Sequence, residues 1–321
     1  MHYRCAAVAL GLLFGNVQTF AQPTSPPRTF RLLEWNVSDS AWLKQPDATH
    51  AILRHANPDI VVLVQVSPLI DPNGIRRLLR GLRGASDTLW FVEMGQALGI
   101  EHTVIASRDS VKALPEFAKV TFAEAGALAQ RAAVPANDSV TRSKGPVELV
   151  RTNGAMVRVR GQWVFVTGIH LMCCGLADTW REYRRQLGAI AIRDLIQAVI
   201  HRVKPVAAIV AGDLNLVSGR AALDTILRAG QAAPLGPLER AEALHFDGWT
   251  DWTWDGRTTP FNGGRLDNVL YSSGRLTPTM TRIWDTEYMP ADTLAAHGLT
   301  AAMSRSINQH RPVVVDFSFR E

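Results

Sequence analysis

A recurring pattern constrains this chain most: short apolar runs typical of β-strands have a polar residue at one end. "VAAIVAGDLN" is the clearest case, because it reads as a buried strand that delivers acidic and amide side chains at its carboxyl end. The polar residues at such strand ends are Asn36, Gln65, His170, Asp213 with Asn215, Asp267 and His310. Ligand sites of parallel and mixed sheets gather at strand ends, so the pattern predicts a polar site along a sheet edge.

Helical segments separate several of these strands. "DATHAILRHANPD" has apolar residues near helical spacing, and the strongest predicted helix follows Thr179 and extends toward Pro205. Thr179 and Glu182 have the spacing of a capping box. "GAMVRVRGQWVFVTGIHL" alternates around Gly161-Gln162 and predicts a β-hairpin. Strands outnumber helices, so the residues predict an α/β protein with two packed sheets and helices outside.

The first 21 residues resemble a cleavable secretory signal. Arg4 precedes an apolar stretch that runs from Cys5 to Phe14, and a polar segment then ends at Ala21. About 20 apolar residues are needed to span a bilayer, so an uncleaved anchor is the weaker interpretation and no stable membrane insertion is expected. We expect a signal peptide at 1–21, a linker at 22–29, one domain at 30–321, and a secreted or periplasmic protein.

Charge and cysteine content narrow the functional class. The formal net charge is +5, yet the arginines are scattered and no Lys/Arg-rich run marks a dedicated nucleic-acid surface. This charge is compatible with a phosphate-bearing ligand, and also with a solvated surface. Cleavage after Ala21 would leave Cys173 and Cys174, too few for a disulfide-built fold. These two cysteines either close a strained disulfide ring or are buried as small apolar side chains.

Each polar residue has a structural explanation when it is considered alone, but together they resemble a known family. The successive blocks are "EWN", "PDIVVLVQV", "IASR", "GIHL", "AGDLN", "RLDNVLYS" and "QHRPVVVDF". From about Phe30 to Phe319 they resemble the endonuclease/exonuclease/phosphatase superfamily, and "GDLN" with "HRP" before a terminal strand is the most specific combination. The resemblance implies a four-layer sandwich, in which two packed mixed β-sheets are flanked by helices.

The resemblance also implies hydrolysis of phosphoric esters by a divalent cation and an activated water. It makes Asn36 a metal ligand, and it makes Asp213 and Asn215 the residues that position the nucleophile and contact phosphate. His170 would donate to a phosphate oxygen or assist the leaving group. Asp267 would orient His310, whose imidazole would accept the proton of the water.

Two positions depart from the family pattern. Gln65 stands where the family usually has the principal metal-binding Glu, and Gln309 stands where it usually has Asp before the terminal His. The implied metal set is therefore Asn36, Gln65, Asp213 and Gln309. Unit charges about 4 Å apart interact by roughly 4 kcal/mol at an effective dielectric near 20, so losing carboxylates weakens cation binding. We expect Mg²⁺ or Mn²⁺ to bind weakly.

These observations favour an exported, metal-dependent phosphoric ester hydrolase. A catalytically impaired relative that binds phosphate ligands, or a protein that shares only the architecture, remains open. The substrate class is a phosphate ester, whether nucleic acid, phospholipid headgroup or small molecule. Trp249, Trp252 and Trp254 either line a substrate wall or pack in a sheet, and the period-two spacing of the last two favours packing.

Overall fold

The computed structural model describes residues 29–38, 41–96, 101–121, 149–177, 179–217, 219–232 and 235–320, so the expected signal peptide lies outside the described residues. Within this part of the chain the strands are β1 (Thr29–Asn36), β2 (Ile60–Val66), β3 (Phe91–Met94), β4 (His102–Ser107), β5 (Val111–Ala113), β6 (Val120–Thr121), β7 (Leu149–Val159), β8 (Gln162–His170), β9 (Ala207–Asp213), β10 (Leu238–Arg240), β11 (Asp267–Ser272), β12 (Leu276–Ile283) and β13 (Val313–Phe319). The α-helices are α1 (Pro46–Ala56), α2 (Pro72–Leu79), α3 (Trp180–Val203), α4 (Ala221–Leu227), α5 (Ala291–His297) and α6 (Met303–Ile307).

The strands form two sheets. The first has the order β12-β13-β1-β2-β4-β3, and the second has the order β10-β11-β9-β8-β7-β5, with β6 paired to β7 outside this order. The β1/β2 and β8/β9 pairs are parallel, whereas β1/β13 and β9/β11 are antiparallel, so both sheets are mixed. In the first sheet β1 therefore lies between β2 and the late strand β13.

Three apolar layers separate the sheets and helices. The middle layer joins the two sheets through residues such as Leu32, Val62, Val166 and Ile209. One outer layer packs α1 and α2 on the first sheet, and the other packs α3 and α4 on the second. This arrangement confirms the predicted four-layer sandwich with two mixed sheets between helices.

The alternation of side chains along β1 decides which residues enter the space between the sheets. Phe30 and Leu32 belong to the middle layer, whereas Leu33 and Trp35 belong to the outer layer beside the helices. Because successive side chains of a strand point to opposite faces, Glu34 and Asn36 continue the inner row. The edge of the middle layer is thus polar on β1.

The long helix α3 lies where the sequence predicts it, but its start is built differently. Thr179 is the N-cap residue and its side chain makes no capping bond; its hydroxyl donates to the Leu176 carbonyl instead. The carboxylate of Glu182 pairs with the buried guanidinium of Arg185 rather than returning to the cap. The predicted capping box is therefore wrong.

None of the described helices combines the length and apolarity needed to cross a bilayer.

Candidate functional site

Neighbouring strands of the second sheet align three of the predicted residues in one row. His170 at the end of β8 is in register with Asp213 at the end of β9, and Asp213 is in register with Asp267 at the start of β11. All three are buried. The row is possible because Gly212, at φ +143°, lets β9 lie close to β8: a Cβ there would lie 1.9 Å from the Ile169 carbonyl oxygen.

Asp213 lies at the centre of the site. Its Oδ2 accepts a hydrogen bond of 2.9 Å from Asn36 Nδ2 across the two sheets, and its Oδ1 accepts one of 2.8 Å from the backbone N–H of Asn215. The Asn215 side chain donates to the Leu171 carbonyl. Burial and the charge of Asp267 raise the pKa of Asp213 despite the opposing effects of His310, His170 and the Asn215 N–H. The structure thus brings Asn36, Asp213 and Asn215 together.

His310 and Asp267 form a buried pair. Nδ1 of His310 lies 2.8 Å from Asp267 Oδ2, and the Thr253 hydroxyl accepts the backbone N–H of Asp267. Burial alone would lower the pKa of His310, but the nearby charges of Asp267 and Asp213 raise it above its ordinary value. One ligand atom from each of Asp213, Asp267 and His310 lies within 4.8 Å of the others. Such a cluster is compatible with a cation or with proton transfer.

A second histidine–carboxylate pair lies on the other side of Asp213. Nδ1 of His170 is hydrogen-bonded to the carboxylate of Glu101, and His170 Nε2 lies 3.8 Å from Asp213 Oδ2. Nη1 of Arg151 approaches Glu101 Oε1 at 3.6 Å. Burial opposes ionisation of Glu101, but the hydrogen bond and charge of His170 and the charge of Arg151 leave its pKa below the ordinary value. Sequence reasoning missed Glu101, whose only signal was an acid directly before β4.

Sequence reasoning also missed Glu34, which is fully buried on the inner face of β1. Neither carboxylate oxygen has a hydrogen-bond partner among the described residues. Burial, followed by the charges of Asp267 and Asp213, raises the pKa of Glu34 well above its ordinary value. Its signal was a charged residue inside the apolar run "RLLEWN", two positions before Asn36.

Neither of the two glutamines is hydrogen-bonded to the Asp213 cluster among the described residues. Gln65 has φ +59°, a left-handed conformation that is strained for a side chain other than glycine, at a break in the β2/β4 register. Its side chain makes no hydrogen bond to any described residue. The Gln309 side chain donates a 2.9 Å hydrogen bond to Thr258 Oγ1. Neither side chain is seen to contact Asp213, so the roles of both as metal ligands stay predictions.

The cysteine and tryptophan predictions have separate outcomes. Cys173 and Cys174 are free and exposed, with Sγ atoms 2.8 Å apart, so their interpretation as buried apolar side chains is wrong. Ring closure between them stays a prediction. Trp252 packs its ring against His245 and Tyr288 but lies outside the strands, so it is packed without being part of a sheet, whereas Trp249 is 88% exposed.

A family model and several solved structures match this chain. The family model described as Endonuclease/Exonuclease/phosphatase family matches residues 33–292, a span that ends before His310. Comparison with curated proteins gives no match.

Several solved structures are similar over most of the chain. Truncated TDP2 from Caenorhabditis elegans is 17% identical with a TM-score of 0.56, covering 90% of this chain and 97% of that chain. The human nocturnin catalytic domain with bound sulfate anion is 15% identical with a TM-score of 0.56, covering 92% and 97%. An endonuclease/exonuclease/phosphatase from Beutenbergia cavernae DSM 12333 is 16% identical with a TM-score of 0.55, covering 91% and 72%. At these identities the likeness shows the fold.

Proposed function

The chain belongs to the endonuclease/exonuclease/phosphatase family, and we propose that it hydrolyses phosphoric esters with a divalent cation and a water activated by His310. Members of this family are generally hydrolytic nucleases and phosphatases. The observation that carries the proposal is the buried cluster of Asp213, Asp267 and His310, whose ligand atoms lie within 4.8 Å of one another.

His310 is suited to accept a proton. Its Nδ1 is bound to Asp267, which fixes the tautomer with the proton on Nδ1 and leaves Nε2 as the free basic nitrogen. This carboxylate also stabilises the imidazolium that forms when Nε2 takes a proton from water. We assign to Asp213 and Asn215, which are linked through the backbone, the positioning of that water and of the phosphate.

The residues present fit a hard cation. Asn36, Asp213 and Gln65 offer oxygen donors, which Mg²⁺ and Mn²⁺ prefer, and Oδ1 of the nearby Asp267 has no protein partner among the described residues. When bound, the ion would neutralise charge that develops on the phosphoryl oxygens. Asn36, Asp213 and Gln65 are the residues we propose to hold it, with weak affinity, because Gln65 contributes only a dipole.

His170 is proposed to contact the phosphate or the leaving group. Its Nδ1 is held by Glu101, so its Nε2 is directed to the side of Asp213, at 3.8 Å. Structures of similar fold support an anionic ligand: the human nocturnin domain holds sulfate, and a D. rerio TDP2 structure is a complex with single strand DNA product. We propose a phosphate ester substrate, without choosing among nucleic acid, phospholipid headgroup and small ester.

The test is hydrolysis of bis(4-nitrophenyl) phosphate and of single-stranded DNA by the purified chain, with Mg²⁺, Mn²⁺ or a chelator. We expect metal-dependent turnover that His310→Ala abolishes. Unchanged turnover in His310→Ala or in chelator would contradict the mechanism.

A second candidate function is binding of a phosphate ligand without turnover. The two amides at positions 65 and 309, where the family usually has acids, favour it. This alternative predicts no hydrolysis by the natural chain and hydrolysis by the variant with both Gln65→Glu and Gln309→Asp. Metal-dependent hydrolysis by the natural chain, at a rate that the double substitution does not raise, would exclude it.

We also propose that the protein is exported and that cleavage follows Ala21, which the N-terminal sequence supports. Cell fractionation followed by N-terminal sequencing checks this. A cytosolic protein that keeps its first residues would contradict the proposal.

A further inference from the structure

Glu34 is the least explained charged group of the site. Its side chain is fully buried, and both of its carboxylate oxygens lack hydrogen-bond partners among the described residues. Buried polar atoms in proteins nearly always have a partner, so an orphaned acid calls for an explanation such as a functional role, a water or an ion. An acid kept only for stability would be expected to have donors around it.

The surroundings of Glu34 carry an excess of negative charge. Asp213 and Asp267 are the neighbours whose charges act on it, and Asp267 Oδ1 is orphaned as well. His310 is bound to Asp267, and the His170 ring is bound to Glu101, so both imidazoles already serve other acids. Three buried carboxylates are stable together only if a proton or a cation joins them.

The position of Glu34 also fits a shared ligand. Glu34 and Asn36 lie on the same inner face of β1, with Cα atoms about 6.5–7 Å apart as for any residues two apart in a strand. Asn36 is in turn hydrogen-bonded to Asp213. Glu34 therefore lies in the same inner row of β1 as Asn36, and its buried side chain is on the face of β1 that is turned toward the second sheet.

We propose that Glu34 supplies the carboxylate charge to the divalent cation that Gln65 cannot supply. The inference rests on the proposed function in assuming that a divalent cation belongs to this site. It assigns the acid to β1 instead of β2, so the cation would be held between Glu34, Asn36 and Asp213. One of the two charges lost at positions 65 and 309 is thereby replaced from a different strand.

The experiment measures Mn²⁺ binding to the full chain by the loss of the free-ion electron paramagnetic resonance signal, beside thermal unfolding in chelator and in Mn²⁺. Glu34→Gln should weaken Mn²⁺ binding by at least about tenfold and remove the Mn²⁺-dependent rise in Tm. In chelator its Tm should equal or exceed that of the natural chain, because an unpaired buried acid has been replaced by a neutral amide.

Glu93→Gln is the matched control, since Glu93 lies on β3 of the same sheet, is half-buried, and is not in the site. It should leave Mn²⁺ binding unchanged. Adding Gln65→Glu to Glu34→Gln should return the affinity to within about threefold of the natural value if both positions serve one ion. Should Glu34→Gln not fold, Glu34→Asp keeps the charge, withdraws it by one methylene, and should still weaken binding.

Unchanged Mn²⁺ affinity in Glu34→Gln, or in Glu34→Asp if that variant is needed, would overturn the inference. A fall in Tm in chelator together with unchanged affinity would assign Glu34 a structural role. Failure of the proposed function would give a different result. Mn²⁺ binding that depends on Glu34, without hydrolysis of any ester, would leave the inference intact and contradict the proposed enzymatic activity.

Discussion

Two histidine–carboxylate pairs flank Asp213, and they differ in how their charge is balanced. Glu101, the partner of His170, also faces a cation, because Arg151 Nη1 lies 3.6 Å from its carboxylate. Asp267, the partner of His310, has one orphaned oxygen and no such cation among the described residues. Arg311, next to His310 in the chain, is bound to Asp285 and Asp255 instead.

This difference is the basis on which we propose different roles for the two histidines. Around Glu101 the hydrogen bond and charge of His170 and the charge of Arg151 outweigh burial and lower the pKa of the carboxyl, which holds the His170 ring through Nδ1. Around Asp267 the excess negative charge raises the pKa of His310, which suits a group that must accept a proton from water. We therefore propose that the two pairs, built from the same residue types, have different roles.

Removing the imidazole of His310 or of His170 should give the largest changes in kcat, and the two changes should differ. His310→Ala should lower kcat for bis(4-nitrophenyl) phosphate by about 10³-fold or more, because the variant lacks the proposed general base. His170→Ala should lower it by about 10²-fold, the usual effect of deleting one donor to a developing negative charge. Steady-state kinetics with saturating Mn²⁺ measures both, and equal losses would refute the division of roles.

Neutralising the carboxylate of Asp267 or of Glu101 should change the pH dependence of kcat/KM in only one of the two pairs. Asp267→Asn should lower kcat/KM by about 10²-fold and move the acidic limb of the pH profile to lower pH, because the pKa of His310 loses the charge that raises it. Glu101→Gln should lower kcat/KM by about tenfold and leave that limb in place. The pH dependence of kcat/KM checks this; a limb displaced equally in both variants would contradict it.

Stability in chelator should depend on pH in opposite directions for the two pairs. The lowered pKa of Glu101 means that its contribution is present above its unfolded pKa of about 4.5 and is lost as pH falls through the folded value. The raised pKa of His310 means that its contribution is present below about 6.5 and is lost as pH rises through the folded value.

Urea unfolding from pH 4 to 9 measures this opposition. Glu101→Gln should reduce the free energy of unfolding by about 1–3 kcal/mol at pH 7 and by less toward pH 4. Asp267→Asn should reduce it more at pH 6 than at pH 9. Parallel curves for the two variants would show that the neighbouring charges do not distinguish the pairs.

The smallest expected effect comes from replacing Arg151, the cation that faces the Glu101 carboxylate. Arg151→Gln should raise KM about threefold with little change in kcat, because Glu101 retains its hydrogen bond to His170 and loses only a partly exposed cation at 3.6 Å. Arg158→Gln is the control, since Arg158 is exposed on the same strand β7. A large loss of kcat in Arg151→Gln would move Arg151 into direct contact with the substrate.

The sequence predicted the layers and much of the site because both leave local signals. Buried strands with polar ends revealed Asp213, His170 and Asn36, and the structure brings these together. Glu101 left no comparable signal, because its partner His170 lies 69 residues away and belongs to the other sheet. Glu34 was hidden for another reason: a charged residue in a strand is normally assigned to the exposed face.

The capping-box error has the same origin as the missed acids. The spacing of Thr179 and Glu182 is a local pattern, and it cannot show that a buried guanidinium, Arg185, takes the carboxylate inward. Gln65 shows a second limit of prediction from sequence. Its identity was visible, but the left-handed turn of the backbone that presents it appears only in the folded sheet.

The place of β13 in the first sheet has a consequence for biosynthesis. A ribosome makes β1 among the first elements and β13 after nearly all the others, yet the two are hydrogen-bonded neighbours, with Thr29 opposite Ser318. Until residues 313–319 have been made, the edge of β1 that pairs with β13 has no partner strand, and unpaired strand edges are prone to pair with other chains. Since His310 lies shortly before β13, the closing strand and the histidine that pairs with Asp267 are made together at the end of synthesis.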